Sequence, residues 1–262
     1  MNNERIEQNW NQMAEAYERF TDGEDSYSAR IEWPCVRPLL PSVQGKRVLD
    51  LGCGTGHFTF LLETLGPAAL VGVDLSQAML DIAAHKAREA HSIARFVHGD
   101  ACAYQPGPPF DLVFSSTLTH YIPCLEPFFT HLYDLLAESG ACVLSVMHPV
   151  YSAQYPARHE DGSFPGDEEW SVRYLDRRER AYIQPWIEYN DQVDDFLSES
   201  YHHTFADYVN AATAAGFALT RAEEPAPPAE WEQKYPERYQ AFIETPSFLV
   251  MRLDKRGIAA SL

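Results

Sequence analysis

Residues 48–56, VLDLGCGTG, have the residue types and spacing of a nucleoside-binding turn. An apolar strand pattern runs into glycines at positions 52, 54 and 56, and glycines let a backbone approach a ligand that a Cβ would keep away. A dinucleotide fingerprint would place its last glycine at position 57, which is His57. The charge of Asp50 would repel a pyrophosphate, but it suits the zwitterionic amino-acid tail of a sulfonium nucleoside. The loop therefore favours a sulfonium nucleoside.

Two further acids follow at the ends of the next two strand-like segments. Asp74 ends VGVD, where a carboxylate can accept hydrogen bonds from both hydroxyls of a ribose. It could instead cap the next helix, but Ser76 is the better candidate for that cap. Asp100, in HGDA, can accept from an adenine amino group beside the Ala101 amide, and taken alone it is equally well explained as a turn residue. Three acids at three successive strand ends indicate a nucleoside site.

The segments that must position these acids alternate between strand and helix patterns. The strand-like runs are short and rich in β-branched residues: RVLDL, ALVGVD, ARFVHGD, FDLVFSS and ACVLSVM. Helix-length segments such as residues 77–90 separate them. The alternation predicts a doubly wound α/β fold with a mostly parallel sheet, whose ligands bind beyond the carboxyl ends of the strands.

The whole chain, residues 1–262, is expected to form a single domain with a core at residues 45–148. Residues 1–44 predict an N-terminal helical cap, because apolar residues recur at helical spacing over about 3–20 and a second helix is expected over 27–39.

The rest of the chain is expected to be an insertion followed by the end of the core. Residues 149–203 are rich in Tyr, Trp, Pro and acids and are interpreted as a lid or small subdomain inserted after the fifth strand. Residues 204–253 are expected to complete the core with a helix over 204–215 and two last strands.

Composition narrows the class of substrate and the compartment. The chain carries 38 acidic and 20 basic residues, a formal charge of −18, which disfavours nucleic acid and favours a neutral or cationic small molecule. Five cysteines without a CxxC pair argue against a disulfide framework and a zinc site and favour the cytoplasm. No window holds the ~18 apolar residues of a membrane helix, so we expect no membrane association. A monomer and a homodimer both remain open.

The motifs VLDLGCGTG, VGVDLS, HGDA and FDLVFSS, in this order, resemble the class I S-adenosylmethionine-dependent methyltransferases. SVMHPVY, YHHTFADYVNAATAAGF and PSFLVMRL resemble the branch that acts on small molecules, so the resemblance spans nearly the whole chain. It implies a Rossmann-like fold with a seven-stranded sheet whose last strand is antiparallel, and S-adenosyl-L-methionine as the cofactor. 

The resemblance also implies the residues of the donor pocket. Glycines would surround the methionine part, one acid would lie near its amino group, and others would hold the ribose and the adenine. In that order these are Gly52, Gly54 and Gly56, then Asp50, then Asp74 and Asp100, with Leu75, Met79, Ala101 and Ser115 lining the pocket and Tyr17 closing over it.

The acceptor side of the site is less constrained. Methyl transfer from a sulfonium is an in-line displacement, so a base is needed only for a protonated amine or a hydroxyl. His148 is the first candidate because it directly follows the fifth strand, and His202 is the second. His120 and His203 are further candidates, and each histidine could instead be structural. Aromatic wall residues are expected from Tyr121, Tyr151 and Tyr174.

The aromatic residues of the insertion have two interpretations. They could cage a cationic group, or they could form the insertion's own small core, which would account for most of them. They are Tyr151, Tyr155, Trp170, Tyr174, Tyr182 and Trp186. We expect no metal, because a solvated acidic surface explains Asp191, Asp194 and Asp195 better than a metal site does.

Three functions follow from these motifs. The leading one is methyl transfer from S-adenosylmethionine to nitrogen or oxygen of a small metabolite. A second uses the same cofactor for an intramolecular ring closure that releases methylthioadenosine. A third is a non-catalytic partner that binds S-adenosylmethionine. The motifs do not identify the acceptor or the general base.

Overall fold

The computed structural model describes residues 3–23, 25–105, 107–155, 172–183 and 197–255. The described residues contain nine strands: β1 Arg47–Leu51, β2 Ala69–Asp74, β3 Arg95–His98, β4 Phe110–Ser116, β5 Leu136–Met147, β6 Arg180–Ile183, β7 Leu197–Ser200, β8 Phe217–Glu223 and β9 Phe248–Lys255. They also contain nine α-helices: α1 Asn3–Thr21, α2 Trp33–Val36, α3 His57–Glu63, α4 Gln77–Ala90, α5 Leu125–Leu135, α6 Pro149–Ser152, α7 Phe205–Ala214, α8 Trp231–Lys234 and α9 Pro236–Glu244.

Seven of the strands form one sheet, in the order β3-β2-β1-β4-β5-β9-β8. β9 runs antiparallel to both β5 and β8, whereas β1 to β5 pair in parallel. This confirms the predicted α/β fold, with a seven-stranded sheet and an antiparallel last strand. β6 and β7 pair with each other in a separate two-stranded sheet within the stretch interpreted as an insertion.

The central strands are buried on both faces, as the long apolar runs in the sequence require. On one face, apolar residues of α5 and α7 pack against β4, β5 and β9. On the other face, Phe58 and Leu62 of α3 pack with Val36 and Leu39 against β1 and β4. The strand ends are therefore held rigidly between two layers of helix.

The N-terminal helices lie as the apolar periodicity predicts, with one difference in detail. α1 begins at Asn3 and ends at Thr21, close to the expected 3–20. The second expected helix is a composite: a π-helical turn, Ser28–Glu32, leads into α2, and a 3₁₀ turn follows at Arg37–Leu39. Proline explains the change of pitch, because Pro34 and Pro38 lack the amide hydrogen that a continuous α-helix needs. In the part of the chain that the structure describes, no helix combines the length and apolarity needed to cross a membrane.

Gly72 marks a close approach between β2 and its neighbours. A Cβ at this position would lie 2.8 Å from Cδ1 of Phe96 and 2.9 Å from Sγ of Cys53. The missing side chain therefore allows β3 and the loop after β1 to pack closely on β2, where the predicted nucleoside site begins.

Gly72→Ala should lower the free energy of unfolding by about 1–3 kcal/mol, because overpacking forces neighbouring side chains to move. Urea unfolding measures the change. Gly107→Ala is the matched control, since a Cβ there would meet nothing within 4 Å. Equal unfolding free energies for the two variants would contradict this account of the packing.

Candidate active site

A cavity opens at the carboxyl ends of β1 to β5, under α1. Its lining comes from three regions: α1 and the turn after it, the loops that follow β1 to β3, and the segments that follow β4 and β5. Examples of the three regions, in order, are Tyr17 and Glu32, Gly54 and Asp74, and His120 and Met147. Residues that are far apart in the sequence thus face one space.

The glycine loop forms the floor of one end of the cavity. The backbone angle φ is positive at all three loop glycines: 73° at Gly52, 52° at Gly54 and 84° at Gly56. Residues with a side chain rarely adopt such angles. Gly52 and Gly54 line the cavity, while Gly56 caps α3 and packs against the ring of Phe60. A Cβ on Gly54 would lie 3.7 Å from Cε1 of Tyr17, so Tyr17 lies directly over the loop.

Asp74 joins this loop to the start of α4. Its Oδ2 accepts a hydrogen bond from the Gly54 amide and its Oδ1 from the Ser76 amide, both at 2.8 Å. Ser76 is the N-cap of α4, because its Oγ accepts from the Met79 amide at 3.2 Å. Asp74 is left facing the cavity, with Leu75 and Met79 beside it. Since a carboxylate oxygen has more than one acceptor site, Asp74 can still accept from a ligand.

Asp100 lines the same end of the cavity, with Ala101 next to it. Its Oδ1 accepts from the Cys102 amide at 2.8 Å, and its Oδ2 accepts from Nδ2 of Asn3 at 2.7 Å. The carboxylate therefore orders its own turn and also holds the first turn of α1 over the cavity.

Two residues expected at the donor lie beneath it instead. Asp50 is only 1% exposed, and the Thr59 hydroxyl donates to its Oδ2 at 2.6 Å. Ser115 is equally buried and donates to the Leu51 carbonyl at 2.7 Å. Side chains alternate along a strand, so the neighbour of Ser115, Ser116, lines the cavity in its place. Neither Asp50 nor Ser115 is among the described residues that line the cavity, and the hydrogen bonds of both side chains connect elements beneath it.

The three residues expected to act on the acceptor also lie outside the described lining. His148 caps α6: its Nδ1 accepts from the Val150 amide at 3.1 Å, and its Nε2 lies 3.0 Å from Glu224. The His202 ring lies between the Ser152 hydroxyl and the Tyr174 carbonyl, 2.8 Å from each. The Tyr174 hydroxyl accepts from the amide that starts α7, at 3.0 Å. These contacts connect residues of the 149–203 stretch to each other and to the core. His148, His202 and Tyr174 therefore have structural roles in this geometry.

His120 is the candidate histidine that does line the cavity. It lies in a short 3₁₀ helix after β4, Thr119–Tyr121, and its ring packs on that of Tyr121 at 4.2 Å between centroids. Nδ1 is buried and has no hydrogen-bond partner among the described residues. Burial, with a smaller effect of nearby His203, lowers the pKa of His120 to about 3, so the imidazole is neutral at physiological pH.

Glu32 is a cavity residue that the sequence motifs did not reveal. It is 1% exposed and accepts a hydrogen bond from the Ser116 hydroxyl. Burial raises the pKa of Glu32 to about 7, and hydrogen bonds from serine hydroxyls oppose the rise. The signal available in the sequence was a single acid within the otherwise apolar helical stretch IEWPCV.

Aromatic side chains supply much of the remaining lining. Trp10 and Tyr17 pack edge to face on α1, and Tyr151 and Tyr155, from the start of the insertion, pack in the same way at 5.3 Å. All four line the cavity. Of the other aromatic and acidic candidates, Trp170, Trp186, Asp191, Asp194 and Asp195 lie outside the described residues, as does the side chain of Tyr182.

Comparison with known proteins identifies methyltransferases as relatives of the chain. A family model described as a methyltransferase domain matches residues 48–140, from the glycine loop to β5. A solved S-adenosylmethionine-dependent methyltransferase from Mesorhizobium loti is 29% identical, with a TM-score of 0.65 over 85% of this chain and 97% of its own. The matched residues form a methyltransferase domain, and the chain is an S-adenosylmethionine-dependent methyltransferase. A curated relative, trans-aconitate 2-methyltransferase of Escherichia coli, is 28% identical over 83% of this methyltransferase and 85% of its own length.

The methyltransferase uses S-adenosylmethionine, and its cavity fits that cofactor. Gly52 and Gly54 provide backbone without side chains at one end, where a Cβ would take up ligand space. Asp74 and Asp100 present carboxylates with remaining acceptor capacity to the same space. When bound, S-adenosylmethionine supplies an electrophilic methyl group on sulfur.

Asp50 makes the stability of the fold depend on pH. Burial raises the pKa of Asp50 to about 7, and the hydrogen bond from Thr59 opposes the rise. A carboxyl whose pKa is raised by folding stabilises the fold at low pH and loses that contribution as pH rises toward 7. Between pH 5.5 and pH 8, the free energy of unfolding of Asp50→Asn should therefore rise by about 2 kcal/mol relative to that of wild type, at ~1.4 kcal/mol for each unit of pKa.

Urea unfolding at the two pH values measures this gain. Asp134→Asn, a change to an exposed acid on α5, is the control and should follow wild type. If Asp50→Asn also followed wild type, Asp50 would not be the buried, proton-binding carboxyl described here.

Proposed function

We propose that the enzyme transfers the methyl group of S-adenosylmethionine to nitrogen or oxygen of a small metabolite that binds on the β4–β5–β9 side of the cavity. The observation that supports this is the continuity of the cavity. It runs from Asp100 and Asp74, after β3 and β2, past the glycine loop to Met147 and Phe248, where β5 and β9 meet. A donor and an acceptor can therefore share one enclosed space.

On this proposal, the β1–β3 side holds the donor. Asp74 would accept from the ribose hydroxyls and Asp100 from the adenine, with Gly52 and Gly54 beneath the methionine part. Leu75, Met79 and Ala101 would contact the nucleoside, and Tyr17 would cover it. Asp50, Gly56 and Ser115 would act indirectly, by fixing the loop from below.

Contacts above the cavity would keep water from the reacting atoms. Arg5 of α1 lies 3.1 Å from Glu199 of β7, and the Tyr201 amide donates to the His120 carbonyl at 2.7 Å. Residues 199 and 201 are thereby joined to α1 and to the 3₁₀ helix after β4, both of which contribute to the cavity lining. Excluding water strengthens the electrostatic contacts inside the site and protects the sulfonium from side reactions.

The charge of the cavity lining favours a different acceptor from trans-aconitate, which the name of the Escherichia coli relative specifies. Trans-aconitate is a tricarboxylate, which would need cationic partners. The described lining has the acids Glu32, Asp74 and Asp100 and no lysine or arginine. We therefore favour a neutral or cationic acceptor for this enzyme.

Its five cysteines are all thiols, in keeping with the cytoplasmic location expected from the sequence.

Mass spectrometry of S-adenosylmethionine turnover tests the proposal. The protein is incubated with the cofactor and separate panels of small amines, alcohols and carboxylates. We expect S-adenosylhomocysteine together with an acceptor that is heavier by one methylene unit. Methylthioadenosine as the product would instead indicate ring closure, and no methylated amine, alcohol or carboxylate would refute the proposal.

Asp74→Asn should weaken binding of S-adenosylhomocysteine at least tenfold, because the amide replaces one charged acceptor by a donor. Isothermal titration calorimetry measures the affinity. Asp81→Asn, on the exposed surface of α4, is the matched control and should bind like wild type. Unchanged affinity of Asp74→Asn would remove Asp74 from the donor site.

His120→Phe should lower kcat at least tenfold while leaving S-adenosylhomocysteine affinity within threefold. The reason is that a neutral imidazole whose Nδ1 has no hydrogen-bond partner among the described residues can position the acceptor by a hydrogen bond. His120→Asn places a polar atom near the position of Nδ1 and should recover part of the loss. Equal kcat for wild type and His120→Phe would contradict a positioning role.

A further inference from the structure

Glu32 is a buried acid that has no role in the proposed donor site. It lies at the end of the π-helical turn that follows α1, and it faces the cavity while being 1% exposed. Its hydrogen-bond donors are hydroxyl groups, with Ser116 donating to Oε1. A carboxylate removed from water is costly unless a charge or several hydrogen bonds compensate it. In the described part of the chain no lysine, arginine or histidine forms an ion pair with Glu32.

The sheet order places Glu32 on the side away from the nucleoside acids. Asp100 and Asp74 follow β3 and β2, whereas Ser116, the partner of Glu32, ends β4 and pairs with Ser145 of β5. β1, with the glycine loop at its end, lies between these two groups. A donor that extends from Asp100 to the glycine loop would therefore present its sulfur toward Glu32.

The walls around Glu32 suit an organic cation. Tyr17, Tyr27 and Phe248 line the cavity together with Glu32, and Met147 lines it where β5 pairs with β9. Aromatic faces attract ammonium groups by ~0.5–2 kcal/mol each, and they also bury the apolar part of a ligand. An anionic group would meet Glu32 without a compensating lysine or arginine in the described lining.

We propose that Glu32 is the acceptor-binding carboxylate of this enzyme and that the acceptor is a small amine with an apolar body. This rests on the proposed methyl transfer and names the substrate class for it. The ammonium of the acceptor binds Glu32 beside Ser116, and the apolar body packs against the aromatic walls.

The same contact accounts for the proton that must leave the amine. The bound ammonium gives one proton to a Glu32 oxygen, and the freed lone pair forms the new C–N bond with the methyl carbon. The electron pair of the C–S bond leaves with the sulfur, and the product is a protonated N-methylamine. Glu32 then returns its proton to solvent. A carboxyl whose pKa is raised to about 7 by burial is suited to this exchange near neutral pH.

Binding measurements on the complex with S-adenosylhomocysteine test the inference without turnover. The probes are phenethylamine, 2-phenylethanol and phenylacetate, which share one apolar body and differ in the polar group. We expect the wild-type complex to bind the amine at least tenfold more tightly than the alcohol or the carboxylate. Glu32→Gln, which keeps an oxygen for Ser116, should lose that preference. Glu15→Gln, at an exposed site on α1, is the control and should retain it.

Each other outcome overturns the inference. Equal binding of the three probes to wild type, or no binding of the amine, contradicts an amine site. A preference that survives Glu32→Gln removes Glu32 from it. A more than tenfold loss of S-adenosylhomocysteine affinity in Glu32→Gln, with a circular dichroism spectrum like that of wild type, would assign Glu32 to the ammonium of the donor. Methylation of the alcohol or the carboxylate but not the amine would uphold the proposed function and refute this inference alone.

Discussion

The two hydrogen bonds accepted by Asp74 are the interaction on which the site depends. One comes from the Gly54 amide in the loop after β1, and the other comes from the Ser76 amide at the start of α4. Through them, a single half-buried carboxylate fixes a glycine loop in the left-handed conformation relative to the end of the neighbouring strand. Gly72, on the same strand, lets β3 approach closely enough for the next strand end to face the same space. The donor side of the cavity follows from these local constraints.

The acceptor side follows from long-range packing instead. Glu32 belongs to a turn near the N-terminus, His120 to a 3₁₀ helix after β4, and Phe248 to an antiparallel strand near the end of the chain. The cavity brings them together because β9 inserts beside β5 and because α1 crosses above the strand ends. On the proposed function, acceptor specificity would therefore depend on segments that no single motif contains.

This difference explains how much could be predicted from the sequence. The alternating strands and helices predicted the sheet, and the glycine loop with its following acids predicted which strand ends meet, because both are local patterns. The facing of individual side chains was harder to predict. Ser115 was expected in the cavity, but Ser116 lies there, since one residue along a strand reverses the side. His148 follows the fifth strand, as expected. Its ring nevertheless caps α6, because the Val150 amide at the start of that helix donates to it. Glu32 had no motif, because its importance arises only from what packs around it.

We expect the cavity to orient the donor with its sulfur toward Glu32 and its adenine toward Asp100. A crystal structure of the complex with S-adenosylhomocysteine measures this most directly. The adenine amino group should lie beside Asp100 and the ribose hydroxyls on Asp74. The sulfur should face the space bounded by Glu32, His120 and Met147. A ligand bound with its adenine beside Glu32, or with its sulfur turned away from that space, would contradict it.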